Sequence, residues 1–276
     1  MRIDLHLHTT ASDGQHSPTD LVALAQRFDI IAITDHDTTE GIAEAQEAAR
    51  AKGSPQIIPG IELSAEDDAG DVHVLGYFVD VHDAAFQAEL TQFRTDRYHR
   101  GLGILEKLAS IGLPLNWDRV LAIAEGGSIG RPHIARAMVE AGYVGNVREA
   151  FDRYIANDGI AYVQRRRLSP EEALQMIHAA KGAAVLAHPG LLPDHTSMVK
   201  RLVPYGLDGV EVSHPSNSEN TRLSLRGLAR EFNLIMTGGS DFHGEAIKPN
   251  VQIGMETPPD GCVDLLRARA GNYAGA

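Results

Sequence analysis

The sequence predicts an α/β chain: a barrel-like (β/α)7 fold with a small helical subdomain inserted in it. Three observations predict this. Short apolar, β-branched runs alternate with helical stretches, giving seven strands in all. His, Asp and Glu recur where those runs end. One block, residues 94–165, breaks the alternation with helices alone. In such a barrel the strand C-termini share one face, so residues distant in sequence meet there.

The first strand covers residues 2–7 and ends in Asp4-Leu5-His6-Leu7-His8, with Asp13 in a loop of small polar residues behind it. Ser17 and Pro18 start a helix to about residue 27, as N-cap and first helical position. Residues 30–34 form a buried strand that stops at Asp35-His36-Asp37-Thr38, and a helix follows over 39–52. The third strand, 56–61, ends at Glu62. Residues 63–79 then read as a hairpin around the polar turn 67–71, which returns His73 to the Glu62 region. Residues 83–110 predict one or two helices, and 117–124, 131–141 and 147–154 predict three more. After the insert, strands at 183–187, 209–212 and 234–237 end in His188-Pro189-Gly190, Ser213-His214-Pro215 and Ser240-Asp241-Phe242-His243. Helices at 169–181, 197–205, 219–232 and 262–270 accompany them. The expected division is therefore a barrel of residues 1–93 and 166–276 with the insert 94–165 between them. No glycine-rich dinucleotide or P-loop signature follows the first strand.

Hydrophobic residues make up 43% of the 276 and charged residues 22%, ordinary values for a soluble globular protein. No apolar run reaches about 18 residues, so no membrane span is expected. The opening residues lack a basic stretch followed by an apolar one, so they do not read as a signal peptide. Cys262 is the one cysteine, which excludes an intrachain disulfide, and it stands outside every motif, which argues against a thiol mechanism. The expected location is cytoplasmic, and no protein partner is predicted. A net charge of −12 argues against a surface that coats nucleic acid generically. The charge is uneven: residues 94–167 hold 12 basic and 8 acidic side chains, the remainder 13 and 29. An acidic body suits several cations, and a basic insert suits a small anionic substrate.

His6, His8, Asp13, His36, Glu62, His73, His188, Asp241 and His243 are the candidate metal ligands. His6 and His8, and likewise Asp241 and His243, stand two apart, so on a strand each pair points to one face. One divalent ion takes about four to six donors, so nine donors imply two or three ions sharing carboxylates. A set without cysteine fits manganese, zinc or iron(II). His16, His82, His99, His178 and His195 read as surface groups.

At these residues the chain resembles the polymerase and histidinol phosphatase (PHP) family of the amidohydrolase superfamily. The segments that carry the resemblance span nearly the whole chain: Asp4-Leu5-His6-Leu7-His8, Ser12-Asp13-Gly14, Thr34-Asp35-His36, Gly60-Ile61-Glu62, His73-Val74-Leu75-Gly76-Tyr77, Ala187-His188-Pro189 and Gly239-Ser240-Asp241-Phe242-His243. The resemblance implies a distorted (β/α)7 barrel and a phosphoesterase with two or three divalent ions, manganese foremost and zinc, iron or magnesium as alternatives. By analogy His6, His8, Glu62 and Asp241 would hold one ion, Asp13, His36 and His243 a second, and Glu62, His73 and His188 a third. Gly130-Arg131-Pro132-His133-Ile134-Ala135 and Glu211-Val212-Ser213-His214-Pro215 resemble the branch that acts on small nucleotides. That branch removes the 3′-phosphate of nucleoside 3′,5′-bisphosphates or trims short RNA from its 5′ end. A histidinol-phosphate-type phosphomonoesterase ranks lower, because such enzymes usually lack the helical insert.

The expected reaction is attack of a metal-held hydroxide on phosphorus. Asp13, His188 and His214 make up the expected catalytic set. His214 is favoured to protonate the leaving oxygen, because His188 is assigned to metal. Arg131 and His133 open a helix after a glycine-rich loop, where free N–H groups and a guanidinium make an anion site. Ser128 would add a hydroxyl, and Arg165, with Arg166 and Arg167, a second phosphate clamp. A barrel that binds metal or nucleotide without turnover is the non-enzyme alternative, and the full set of nine ligands argues against it.

Overall fold

The structure, a computed structural model, describes residues 1–67, 70–124, 129–164 and 168–273. It divides into two compact units, Met1–Gln87 with Arg167–Ala276, and Ala88–Arg166.

The first unit holds seven strands: β1 (Ile3–Asp4), β2 (Ile30–Ile33), β3 (Gln56–Asp67), β4 (Gly70–Tyr77), β5 (Ala183–Leu186), β6 (Gly209–Ser213) and β7 (Ile235–Gly238). They form one sheet in chain order. Beyond the two outer strands, Leu7 bridges Phe242. There the His8 N–H donates to the Phe242 carbonyl at 3.0 Å and the Asp241 N–H to the His6 carbonyl at 2.9 Å. The sheet is thus a nearly closed barrel. Neighbours pair in parallel except β4, which runs antiparallel to both β3 and β5. The reversal brings the start of β4, with His73, to the end of the barrel where the other strands finish.

Alternation along the strands builds two cores. Ile30 and Ala32 of β2 join Leu5, Ile58, Leu75, Tyr77 and Val185 inside the barrel. Ile31 and Ile33 face outward with Leu7, Leu21, Val22, Ile42 and Phe242, under α1 (Pro18–Leu24) and α2 (Glu40–Lys52). Tyr77 is fully buried, and its hydroxyl donates to the Leu5 carbonyl at 2.9 Å, which satisfies its one polar atom.

The chain leaves this unit along α3 (Ala84–Ser110), a single helix where one or two were expected. α4 (Trp117–Ile123), α5 (Arg131–Glu140) and α6 (Val147–Ala150) follow in the second unit, and α6 runs into one turn of π-helix, Phe151–Ile155. Ile104, Leu108, Val120, Ile134, Met138 and Ile155 form a separate core there. Back in the first unit, α7 (Pro170–Ala179) begins with a capping box between Ser169 and Glu172. α8 (His195–Leu202), α9 (Glu219–Glu231) and α10 (Cys262–Tyr273) complete it. Among the described residues no helix is long and apolar enough to cross a membrane.

Two strand boundaries differ from expectation. β1 spans two residues instead of six. The Asp4 carboxylate draws in the His6, Ser240 and Gly254 N–H groups at 3.2, 3.0 and 2.7 Å, and the chain bends out of the ladder. β3 does not stop before Glu62 but continues to Asp67, because residues 63–67 pair with β4 from Leu63↔Val74 to Asp67↔Gly70. Glu62 is therefore a mid-strand residue.

Leu266 of α10 is fully buried in the inner core. Leu266→Ala is expected to lower unfolding free energy by about 2–5 kcal/mol through the cavity it leaves, measured by urea denaturation followed by circular dichroism. An unchanged midpoint would show that α10 does not hold the barrel closed.

Candidate metal centre

All nine residues expected as ligands converge at one end of the barrel. Glu62 lies at the middle of the cluster, 1% exposed. Its Oε1 is 2.8 Å from His73 Nδ1 and 2.9 Å from His188 Nε2. Its Oε2 is 3.2 Å from both His6 Nε2 and His8 Nε2 and 3.3 Å from His36 Nδ1. The two oxygens thus serve two different sets of imidazoles. Asp241 Oδ1 lies 3.3 Å from His8 and from His243 and 3.6 Å from His6. Asp13 approaches His243 at 3.3 Å, His8 at 3.7 Å and His36 at 3.9 Å.

Local backbone chemistry sets these positions. The Asp13 loop is pinned by Asp35, whose carboxylate accepts from the Thr9 N–H, the Thr9 hydroxyl and the Ser12 hydroxyl at 2.7, 2.8 and 2.7 Å. Any side chain at Gly14 would meet the His8 carbonyl at 2.5 Å, and any at Gly239 would meet His6 Cβ at 2.4 Å. His188 (φ 28°) and Asp241 (φ 56°) occupy the left-handed region. For residues other than glycine this costs on the order of 1–3 kcal/mol, and such strain concentrates at functional sites.

The carboxylates stay ionised although buried. Burial pushes Glu62 upward, but the imidazoles that surround it, His36, His6 and His73, hold it well below the usual range. For Asp241 burial is outweighed by Lys248 first, then His6 and His243. For Asp13 it is outweighed by His243 and His36. The imidazoles divide. Burial opposes a proton on His8, yet Asp241 and Glu62 raise its pKa to about 9. His6 is raised well above its ordinary value against burial, chiefly by Glu211 and then Glu62. Burial dominates at His36, which falls to about 3, and at His188, which is also lowered.

The residues fit a metal complement. Both His8 nitrogens are buried with no hydrogen-bond partner, although carboxylate oxygens stand 3.2–3.7 Å away. Nitrogen and oxygen donors that converge without bonding one another suit a cation between them. Four groups offer ligand atoms within 4.8 Å of one another: His8, Asp13, His36 and His243; His6, His8 and Asp241; His36, Glu62 and His73; and His6, Glu211 and His214. His8 thus serves two groups, where the analogy gave it one. The donors are nitrogen and oxygen without sulfur.

His214 reaches the same cluster. Its Nδ1 accepts the Ser216 N–H at 3.0 Å, so Nε2 carries the hydrogen and faces Asp241 Oδ2 at 3.3 Å. The other expected substrate residues lie in the second unit or outside the described residues. Arg131 Nη1 donates to Asn157 Oδ1 at 2.7 Å and to the Ile155 carbonyl at 3.3 Å. His133 is buried, and its Nδ1 accepts the Gly130 N–H at 3.0 Å. Ser128 and Arg165, with Arg166 and Arg167, fall outside the described residues. His82 and His99 are exposed as expected, but His16, His178 and His195 are partly buried. His178 pairs with the buried Asp208 at 3.0 Å and stacks on Tyr273.

Two members of the cluster were missed. Glu211 is fully buried, with Oε1 3.0 Å from His6 Nδ1. Its signal was a charge between Val210 and Val212 in a strand, where an unpaired carboxylate cannot be buried. Lys248 lies 2.6 Å from Asp241 Oδ2. It sits in a loop that carries no pattern, and nothing in the sequence singles it out.

A barrel with this buried cup of carboxylates and imidazoles defines a metal-dependent phosphoesterase, a hydrolase. The chain belongs to the PHP domain family, whose model matches residues 4–164. It is 38% identical over 247 residues to 5′-3′ exoribonuclease Rnm of Salmonella typhimurium, covering 87% of this chain and 84% of that protein. It is 33% identical over 248 residues to 3′,5′-nucleoside bisphosphate phosphatase of Chromobacterium violaceum, covering 87% of each. A metal-dependent phosphoesterase structure from Bifidobacterium adolescentis superposes with a TM-score of 0.87 at 33% identity, covering 97% of this chain and 96% of that one.

Metal loading at pH 7.5 is expected to release protons. The depressed carboxylates hold none at that pH, whereas His8, raised to about 9, holds one that a ligated ion must displace. Apparent affinity then rises with pH up to about 9. Calorimetric titration with Mn²⁺ in two buffers of different ionisation enthalpy measures the release, and equal heats in both would contradict it.

Proposed function

We propose that this phosphoesterase cleaves the bond between phosphorus and the 3′-oxygen of a 5′-phosphorylated nucleotide. In a nucleoside 3′,5′-bisphosphate that bond is a monoester. In short RNA trimmed from its 5′ end it is the first phosphodiester. The leaving oxygen is the same in both. One observation carries the phosphoester reading: two buried carboxylates, Glu62 and Asp241, and the half-buried Asp13 are held ionised in one cup, and Glu62 presents its oxygens to separate imidazole sets. The names of the two relatives support the nucleotide substrate, and the basic balance of residues 94–167 suits an anion.

His6, His8, Asp13, His36, Glu62, His73, His188, Asp241 and His243 would hold two or three divalent ions, manganese foremost. Such ions lower the pKa of water and neutralise phosphoryl charge. As the water oxygen bonds to phosphorus, the P–O3′ bond breaks and the leaving oxygen takes a proton. His214 faces the cup through Nε2, and as an imidazolium it would give that proton from Nε2 and return to the neutral ring, the Ser216 N–H yielding Nδ1 when the second proton is taken up. Lys248 adds positive charge beside Asp241.

Phosphate release from adenosine 3′,5′-bisphosphate, and mononucleotide release from short 5′-phosphorylated RNA, are expected with Mn²⁺ present and not from histidinol phosphate. Activity on histidinol phosphate alone would sink the nucleotide reading. Asp241→Asn is expected to remove activity on every substrate, and full turnover in that variant would refute its ligand role. His214→Asn should lower kcat by about 10²–10⁴-fold on a nucleotide. It should leave p-nitrophenyl phosphate, whose leaving group needs no proton, much less affected. Equal losses on both would remove His214 as the acid.

A further inference from the structure

We infer that Glu211 is a positioning residue for the metal centre, setting the His6 ring and the His188 backbone at once from β6. The inference rests on the reading of His6 and His188 as ligands. Glu211 is 0% exposed and uses both carboxylate oxygens. Oε1 lies 3.0 Å from His6 Nδ1, and Oε2 accepts the His188 N–H at 2.7 Å.

A carboxylate accepts and does not donate. Glu211 therefore keeps a hydrogen on His6 Nδ1, and the hydrogen that Nε2 gives to Glu62 is the one a metal ion would displace, which frees the Nε2 lone pair for ligation. That nitrogen is the one aimed into the cup, 3.2 Å from Glu62 Oε2 and 3.6 Å from Asp241 Oδ1. The opposite tautomer would put an N–H where a ligand lone pair is needed. His188 holds φ 28° and ψ 59° just after β5. The bond from its N–H to Glu211 anchors that turn and delivers Nε2 to Glu62 Oε1 at 2.9 Å. Glu211 is itself fixed: it pairs with Thr237 in the sheet, and its carbonyl accepts the Asn217 amide at 2.9 Å.

His6, Glu211 and His214 also lie within ligating distance of one another. Both Glu211 oxygens take N–H donors, and His214 Nδ1 takes the Ser216 N–H. Glu211 thus meets His6 at Nδ1, the nitrogen other than the one aimed at Glu62, and meets His188 at its backbone, which makes it a support for the cup.

Glu211→Gln keeps the size but offers one acceptor where two donors must be met. Two measurements test the inference on the full chain. Chelator competition gives the Mn²⁺ dissociation constant, expected to weaken about 10–100-fold in Glu211→Gln. Two-bond ¹H–¹⁵N spectra of ¹⁵N-histidine-labelled, Zn²⁺-loaded protein read which His6 nitrogen holds the metal; the signal missing in His6→Asn assigns it. The wild type is expected to show a protonated Nδ1 and metal on Nε2, with the Nδ1 proton broadened by exchange in Glu211→Gln. Metal on Nδ1 in the wild type, or wild-type affinity with an unchanged His6 signal in Glu211→Gln, would overturn the inference. His6→Asn separates this from the ligand reading. If His6→Asn binds Mn²⁺ as tightly as the wild type, the ligand reading itself fails; if it binds weakly while Glu211→Gln does not, only the role of Glu211 fails. Should Glu211→Gln not fold, Glu211→Asp, which keeps the charge but is too short to meet both donors, is judged by the same two measurements.

Discussion

The structure depends on one buried carboxylate. Glu62 is surrounded by nitrogens of His6, His8, His36, His73 and His188. Removing an ion from water costs several kcal/mol unless partners replace the water, and no single strand can supply five. The barrel solves this by bringing the ends of β1, β2 and β5 and the start of β4 around the middle of β3. The antiparallel β4 is needed for this arrangement. A β4 running parallel to the others would carry its first residues, His73 among them, to the far end of the barrel.

Crowding then decides which partners carry charge. The His8 ring lies 4.0 Å from that of His243 and 4.6 Å from that of His36. Protons on all of them would repel. The cluster resolves the conflict unevenly: His8 is raised to about 9 and His36 falls to about 3. Around the cup stands a second set of carboxylates with a different task. Asp4 and Asp35 take backbone N–H and hydroxyl donors and fix the turns that bear Ser240 and Asp13. The candidate ligands are thus positioned by backbone that is itself pinned by buried charge, not by apolar packing alone.

The fold and the convergence of the candidate ligands were legible for one reason. A (β/α) chain places its chemistry where strands finish, so His6, His8, His36, His188, Asp241 and His243 announced themselves by position. His73 was legible only through the hairpin, since it begins its strand. Two features escaped. The length of β3 was hidden because Glu62 looks like a terminus, although the residues after it continue the pairing. Glu211 was hidden because its role is to touch another side chain across the barrel, and a contact between residues 205 apart leaves no local pattern. Lys248 is similar: its meaning lies wholly in where the loop after β7 comes to rest.

The bridge between Leu7 and Phe242 ties the residues just after β1 to those just after β7, the last strand. His6 and His8 emerge early in synthesis, while Asp241 and His243 emerge after more than two hundred further residues. Contacts of such separation form late, because the loop they close must be paid for in entropy first. A growing chain therefore carries imidazoles it cannot yet use, and the cup exists only once the barrel's last seam is made. Metal binding in this protein is in effect a report that the whole first unit has folded.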